Sequence, residues 1–501
     1  HVDLALIHNW HNHKARQLKA SILRHSGETE KALKFIEESL TIDKFNLGCR
    51  FEKYFIGNNL TELQEMTSML NGSVHNYIEY AFDFASAGMY EEASQIMHIY
   101  MEGRTDVYPM AAYMLGYFAS RSGNEEVARQ WYQKAQSLSP DKCFPNRIDE
   151  INVLTDAMRM NPADYKAPYY LGNFWYAHRR YEEAISCWEK SVEINNQFPT
   201  ALRNLSLAYY NKRNKKEEAR QLLEKAFELD KTDSRIFMEL DQLYKKMGRA
   251  HAERLALLEE HLDLVEQRDD LCIERITLYN LLGDYEKAKD LISNRKFHPW
   301  EGGEGKVTGQ YILCRVELAK KAIKENRYSE AVALLKETEF YPHNLGEGKL
   351  SNAEENEVDY YKGIAYQKLG NDAESTKYLM KATQGSTEPQ QAFYYNDQQP
   401  DKIFYQGLAW RALGEENKAR SRFNKLIDHG KKHLFDDCKI DYFAVSLPEL
   451  AIWEDNLNIR NQIHCYYVMA LGYSGLGKKE LAEEYYEKVK RLDVNKQVFR
   501  M

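Results

Sequence analysis

Small and large apolar residues return at fixed offsets along most of the chain, separated by short polar turns. One stretch runs Leu171, Gly172, Trp175, Tyr181, Ala184, Trp188 and Ser191. The same positions reappear as Leu205, Ser206 and Tyr209, then as Ala219, Leu223 and Ala226 after one inserted residue. Earlier, Leu115, Gly116, Gly123, Ala128, Tyr132, Ala135 and Pro140 keep these offsets. Gly363, Tyr366, Gly370, Leu379 and Ala382, then Gly407, Trp410, Gly414, Ala419 and Phe423, keep them later on. Weaker copies centre on Ala20/Ala32, Ala81/Ala93, Leu240/Tyr244, Tyr279/Ala288, Ala319/Ala331 and Ala470/Ala482. Small residues mark places where two helices approach closely, and aromatic residues fill the holes between them. Sustained period-two alternation bounded by turn residues, the mark of strands, is absent. The pattern predicts an all-α chain of helical hairpins.

A helix-turn-helix unit of about 34 residues with these offsets resembles the tetratricopeptide repeat. Gly123, Gly283, Gly370, Gly414 and Gly477 fall between the paired helices, where a tight turn favours glycine. Eleven copies leave a degenerate helical pair at 46–71, closed by Asn71-Gly72-Ser73, and a single amphipathic segment at 145–160. The expected fold is an all-α superhelix, a tetratricopeptide-repeat solenoid with elongated inter-repeat loops in its C-terminal half. Its parts are N-terminal repeats at 1–141, a connecting helix at 142–164, central repeats at 165–301, and C-terminal repeats with long loops at 302–501. In such arrays each repeat buries its apolar stripe only against its neighbours.

Composition narrows the function. The 501 residues hold 68 Lys and Arg against 76 Asp and Glu, a formal charge of −8, without the basic face of a nucleic-acid binder. No apolar run approaches the length of a membrane span. Seven scattered cysteines without a Cys-x-x-Cys pair support neither a zinc ribbon nor a disulfide framework; they fit a reducing compartment, and cytoplasmic localisation is the expectation. The first residue is His1, and the chain reads as a piece of a longer protein.

Several runs carry a closer likeness: Phe144-Pro145-Asn146-Arg147, Tyr169-Tyr170-Leu171-Gly172-Asn173, the stretch from Phe297 to Lys306, Asn344 to Leu350, Tyr394 to Asp397, and Asp441 to Pro448. Together they resemble the C-terminal part of a bacterial tetratricopeptide family of unassigned function. That resemblance implies an N-terminal β-rich domain, similar to an aldose-epimerase sandwich, in longer members, and so an association with carbohydrate. It brings no catalytic residues.

The Gly-rich run before Lys306 invites a phosphate-loop reading, but Trp300 stands at the first glycine position and Val307 at the Ser/Thr position. His8 and His11 share a helical face while His13 points away, so two imidazoles lack a third ligand. No metal and no cofactor is expected. A concave groove is expected from Tyr169, Asn173, Tyr176, Arg203, Asn204, Tyr210 and Arg235, with Lys245 nearby. Asn173 and Asn204 match the asparagines of the clamp with which some repeat proteins hold a chaperone-tail carboxylate. Tyr169 stands where that clamp has its first lysine, and Glu239 stands at its final arginine, where an acid repels a carboxylate.

Two Gly-Glu-Gly-Lys tetrapeptides, 303–306 and 346–349, occupy the same place after the second helix of consecutive repeats. Unusually long connections are commonly functional. A continuous ligand- or partner-binding edge is therefore expected from His298, Trp300, Glu301, Glu304, Lys306, His343, Glu347, Lys349, Tyr394, Tyr395, Asn396 and Asp397. The functional expectation is a protein-interaction scaffold, binding a protein segment or its own N-terminal domain. The alternative is an edge contributing to a carbohydrate-binding or carbohydrate-processing site, with Glu304 and Glu347 as its catalytic candidates; taken alone, the chain reads more as a scaffold than as an enzyme.

Overall fold

The computed structural model describes residues 1–300, 302–351, 353–392, 399–439 and 452–497. All regular structure among them is helical, with no strand. The chain divides into two compact units, His1–Ala208 and Tyr209–Met501.

The first unit opens with α1 (Val2–His8) and continues in pairs: α2 (His13–His25) with α3 (Thr29–Ile42), α4 (Leu47–Gly57) with α5 (Leu60–Leu70), α6 (Val74–Ser86) with α7 (Tyr90–Met101), and α8 (Pro109–Arg121) with α9 (Glu125–Ser137). The single helix α10 (Asp149–Met160) precedes the pair α11 (Lys166–Ala177) and α12 (Tyr181–Ile194). The unit boundary falls within α13 (Pro199–Arg213), which is followed by α14 (Lys216–Leu229). The second unit then holds α15 (Ser234–Lys246) with α16 (His251–Glu260) and the short α17 (Leu262–Val265), and α18 (Asp269–Leu282) with α19 (Tyr285–Asn294). Next come α20 (Lys306–Lys324) with α21 (Tyr328–Glu337), α22 (Asn356–Lys368) with α23 (Asp372–Ala382), α24 (Pro400–Ala412) with α25 (Glu416–His433), and α26 (Leu457–Gly475) with α27 (Lys479–Leu492). The substantial helix contacts are all between helices one or two apart in the chain, the pattern of an α solenoid.

The packing code is a small residue on one helix facing a large one 16 positions later. A Cβ built on Gly172 would lie 2.4 Å from the Trp188 indole, and one on Gly116 would lie 2.5 Å from the Tyr132 ring. Gly363 stands in the same relation to Leu379, and Gly407 to Phe423. Ala184 and Ser191 are fully buried, and the Ser191 hydroxyl donates to the Tyr165 carbonyl at 2.6 Å. Between helices the chain reverses through left-handed glycines such as Gly283, whose φ of +85° a side chain would strain.

Helix α10 begins at Asp149, later than the Pro145 start expected from sequence. The buried Glu150 carboxylate accepts from the backbone N–H groups of Asn146 and Arg147 at 2.7 and 2.8 Å. Those two donors are fixed in a loop ahead of the helix.

Candidate functional site

The two Gly-Glu-Gly-Lys loops touch. The Phe297 N–H donates to the Asn344 carbonyl at 2.7 Å, and the Asn344 amide returns bonds to the Ile292 and Arg295 carbonyls. Gly346, in the left-handed region, lies so close over the Phe297 carbonyl that a Cβ would stand 2.8 Å from its oxygen. The Glu347 carboxylate accepts from Gly305 N–H at 3.1 Å and is 3.4 Å from the Thr308 hydroxyl, so the second loop caps the first turn of α20. A carboxylate satisfies the unpaired donors and favourable dipole of a helix N-terminus.

The lysines and histidines of these loops do separate jobs. Lys349 bonds Glu355 at 2.6 Å and the Thr338 carbonyl at 2.9 Å. His298 bonds Asp269 through its backbone N–H and ring, and Arg295 pairs with the same carboxylate at 2.8 Å. Burial works against the charge of Asp269, but Arg295 and His298 hold its carboxyl below the usual range. Trp300 lies across Gly303. Glu304 and His343 are exposed. Glu301, Tyr394, Tyr395, Asn396 and Asp397 lie outside the described residues.

In the first unit the expected groove residues bond one another. Tyr169 is buried, and the Asn173 side-chain oxygen accepts from the Trp188 indole at 3.2 Å and the Asn204 amide at 3.0 Å. Arg203 donates to Asn204 at 3.0 Å, and Tyr176 packs against the Trp188 ring. In the second unit Arg235 pairs with the buried Glu239 carboxylate at 3.0 Å.

Tyr210 leads to the feature that sequence reasoning missed. Its ring meets Trp453 edge-on at 5.0 Å, and Trp453 belongs to an irregular segment, Ile452 to Asp455, seated on α13, α15 and their neighbours within the second unit. The Asn211 side chain brackets that segment's backbone, donating to the Ile452 carbonyl at 2.9 Å and accepting from the Glu454 N–H at 3.0 Å. Trp453 is 3% exposed, and its indole N–H donates to the Glu239 carbonyl at 3.1 Å. Lys212 pairs with Glu454 and Lys246 with Asp455. A second segment, 493–497, reaches the same surface: the Asn495 amide donates to the Lys245 carbonyl at 3.0 Å and its oxygen accepts from Arg254 at 3.1 Å, while Gln497 bonds Gln310.

Beside these segments lies a cavity of about 840 Å³. Lys245 and Glu274 in its lining bond each other at 2.9 Å and belong to an ion chain in which Arg254 bonds Glu274 and Asp241, each at 2.7 Å. Burial opposes the charge on Glu274, yet Lys245 and Arg254 hold its carboxyl down at about 2. Lys306, from the first loop, is exposed and lines this cavity. Burial pushes the carboxyl of Asp401, also in the lining, up to about 6.

Between α25 and α26 sits a histidine cluster. The His429 ring lies 4.6 Å from that of His433 and 5.9 Å from that of His464. The Nε2 atoms of His429 and His464 are buried without a hydrogen-bond partner, and burial lowers the two rings to about 4 and about 3. Among the described residues no group of three or more His, Cys, Asp or Glu is arranged to hold a metal ion. All seven thiols are free, and burial raises each, so none is a ready thiolate. No described helix is long and apolar enough to cross a membrane.

Tetratricopeptide-repeat family models match residues 13–46, 111–142 and 463–495, and another matches 200–229, so the chain carries these repeats. The solved tetratricopeptide domain of P58(IPK) is 12% identical, over 93% of this chain and 98% of its own, with a TM-score of 0.27. YrrB, described as a tetratricopeptide protein with an unusual peptide-binding site, is 16% identical over 47% of this chain and 95% of its own, with a TM-score of 0.18. PilF of Pseudomonas aeruginosa is 17% identical over 43% of this chain and 87% of its own, with a TM-score of 0.25. Overlap this loose transfers no site and no ligand.

Proposed function

We propose that this chain is a scaffold that takes a protein segment in the groove of its second unit. Its repeats are those of a protein-interaction scaffold. The observation that carries the groove assignment is Asn211, whose single amide satisfies a carbonyl and an N–H on an irregular segment lying across the helices. An amide used this way reads main chain rather than a particular side chain, which suits a surface that receives peptides. Whether another chain or a further domain of the same protein supplies the segment, it meets the same donors and the same aromatic wall.

A displayed library of random hexapeptides, selected on the full chain carrying Trp453→Ala, tests the reading. Binders should appear and should be lost when Asn211→Leu is added with helical circular dichroism retained. Binders indifferent to Asn211→Leu, or no binders at all, would remove the groove from consideration.

A further inference from the structure

We infer that Ile452–Asp455 is a resident pseudo-ligand, and that the groove's partner is a segment of the same chemistry, an aromatic residue followed by two acids, which displaces it. This rests on the groove reading above and adds the partner's chemistry.

Three features of the seat select that chemistry. The Trp453 indole fills an enclosed place between the Tyr210 ring and the Glu239 carbonyl, which asks for a large ring with an N–H donor. Lys212 and Lys246 stand at the next two side chains and pair with Glu454 and Asp455, which asks for consecutive acids. Asn211 holds the backbone on both sides of the ring and fixes the register. Both acids remain about half exposed, with 52% of each side chain open, so these ion pairs form at the rim and steer more than they anchor.

The segment is also built to leave. It belongs to no helix, and α26 starts after it with a cap of its own, because the Asn456 side chain accepts from the Asn458 and Ile459 N–H groups. Lifting residues 452–455 therefore breaks no helical hydrogen bond. What remains is an aromatic slot, a bidentate amide and two lysines.

The probe is a fluorescein-labelled peptide, acetyl-Leu-Ala-Ile-Trp-Glu-Asp-amide, titrated by anisotropy against the full chain. Expected is binding to Trp453→Ala about ten-fold or more tighter than to the natural sequence, lost on adding Asn211→Leu and weakened when both peptide acids are lysine. A second opened variant, Glu454→Lys with Asp455→Lys, keeps Trp453 in place in case its removal disturbs folding; it should also bind more tightly than the natural chain. Folded opened variants that ignore the peptide would overturn the inference. If the random library then still yields binders dependent on Asn211 but without the aromatic-acid-acid pattern, the groove reading survives and only the partner chemistry falls. If neither peptide nor library binds, both fall.

Discussion

The two units use the same repeat and treat its inner polar groups differently. In the first, Asn173, Asn204, Arg203 and the Trp188 indole bond one another. In the second, Asn211 spends its amide on a segment from far along the chain, and a run of charges, the buried Asp241 and Arg254 with the partly exposed Glu274 and Lys245, stands beside the groove. The lesson is that the repeat pattern fixes how helices stack but leaves the inner surface free. One unit has closed that surface on itself, while the other has kept it available for main chain.

The sharpest way to break the contrast is Arg254→Met. It strands Asp241 and removes one of two cations from Glu274, with an expected cost of about 3–5 kcal/mol. Amide exchange should quicken through the second unit and leave the first unchanged; uniform quickening would mean the two do not behave as separate units. Ala184→Leu is the counterpart in the first unit, overfilling a site with no exposed surface at about 1–3 kcal/mol, seen as a lower thermal midpoint with exchange changes confined to that unit. Glu347→Ala removes the cap from α20 and should cost about 1 kcal/mol, with faster exchange at Gly305 and the residues just after it.

The smallest effect at neutral pH belongs to His464→Asn. A histidine lowered to about 3 in the folded chain, against about 6.5 unfolded, contributes stability that is present above pH 6.5 and is lost as pH falls from there towards 3. Asp401, raised to about 6, acts in the opposite sense below that pH, as its neutral form is favoured by folding. The variant's denaturation midpoint should therefore fall less than the natural chain's between pH 6.5 and 4. Parallel curves would show that His464 accepts a proton without penalty.

Much of the fold was legible because its rules are local. Gly172 and Trp188 sit 16 residues apart in one hairpin, so sequence alone pairs them, and Gly283 marks its own turn. The loop contact was legible in part: equivalent positions of 303–306 and 346–349 implied adjacency. The job of each residue was not, because Glu347 answers to backbone donors of α20 and Lys349 to Glu355, neither of which the repeated tetrapeptide reveals. The seat of Trp453 was invisible for a different reason. Asn211 and Glu454 are 243 residues apart, and neither flank carries a motif that names the other. Tyr210 was flagged as groove-lining, which was as near as local pattern could come.

The covalent attachment of residues 452–455 has a quantitative consequence. An occupant held two residues from the start of α26, in the same folded unit as its site, competes as though present at about millimolar concentration, however dilute the protein is. A free segment of equal intrinsic strength reaches half-occupancy only when its own concentration approaches that value, and its apparent affinity is scaled down by the fraction of chains standing open. The groove thus behaves as a threshold: scarce or merely adequate segments pass it by, and only one that is abundant, or that gains a second foothold on the same array, takes the place of Trp453.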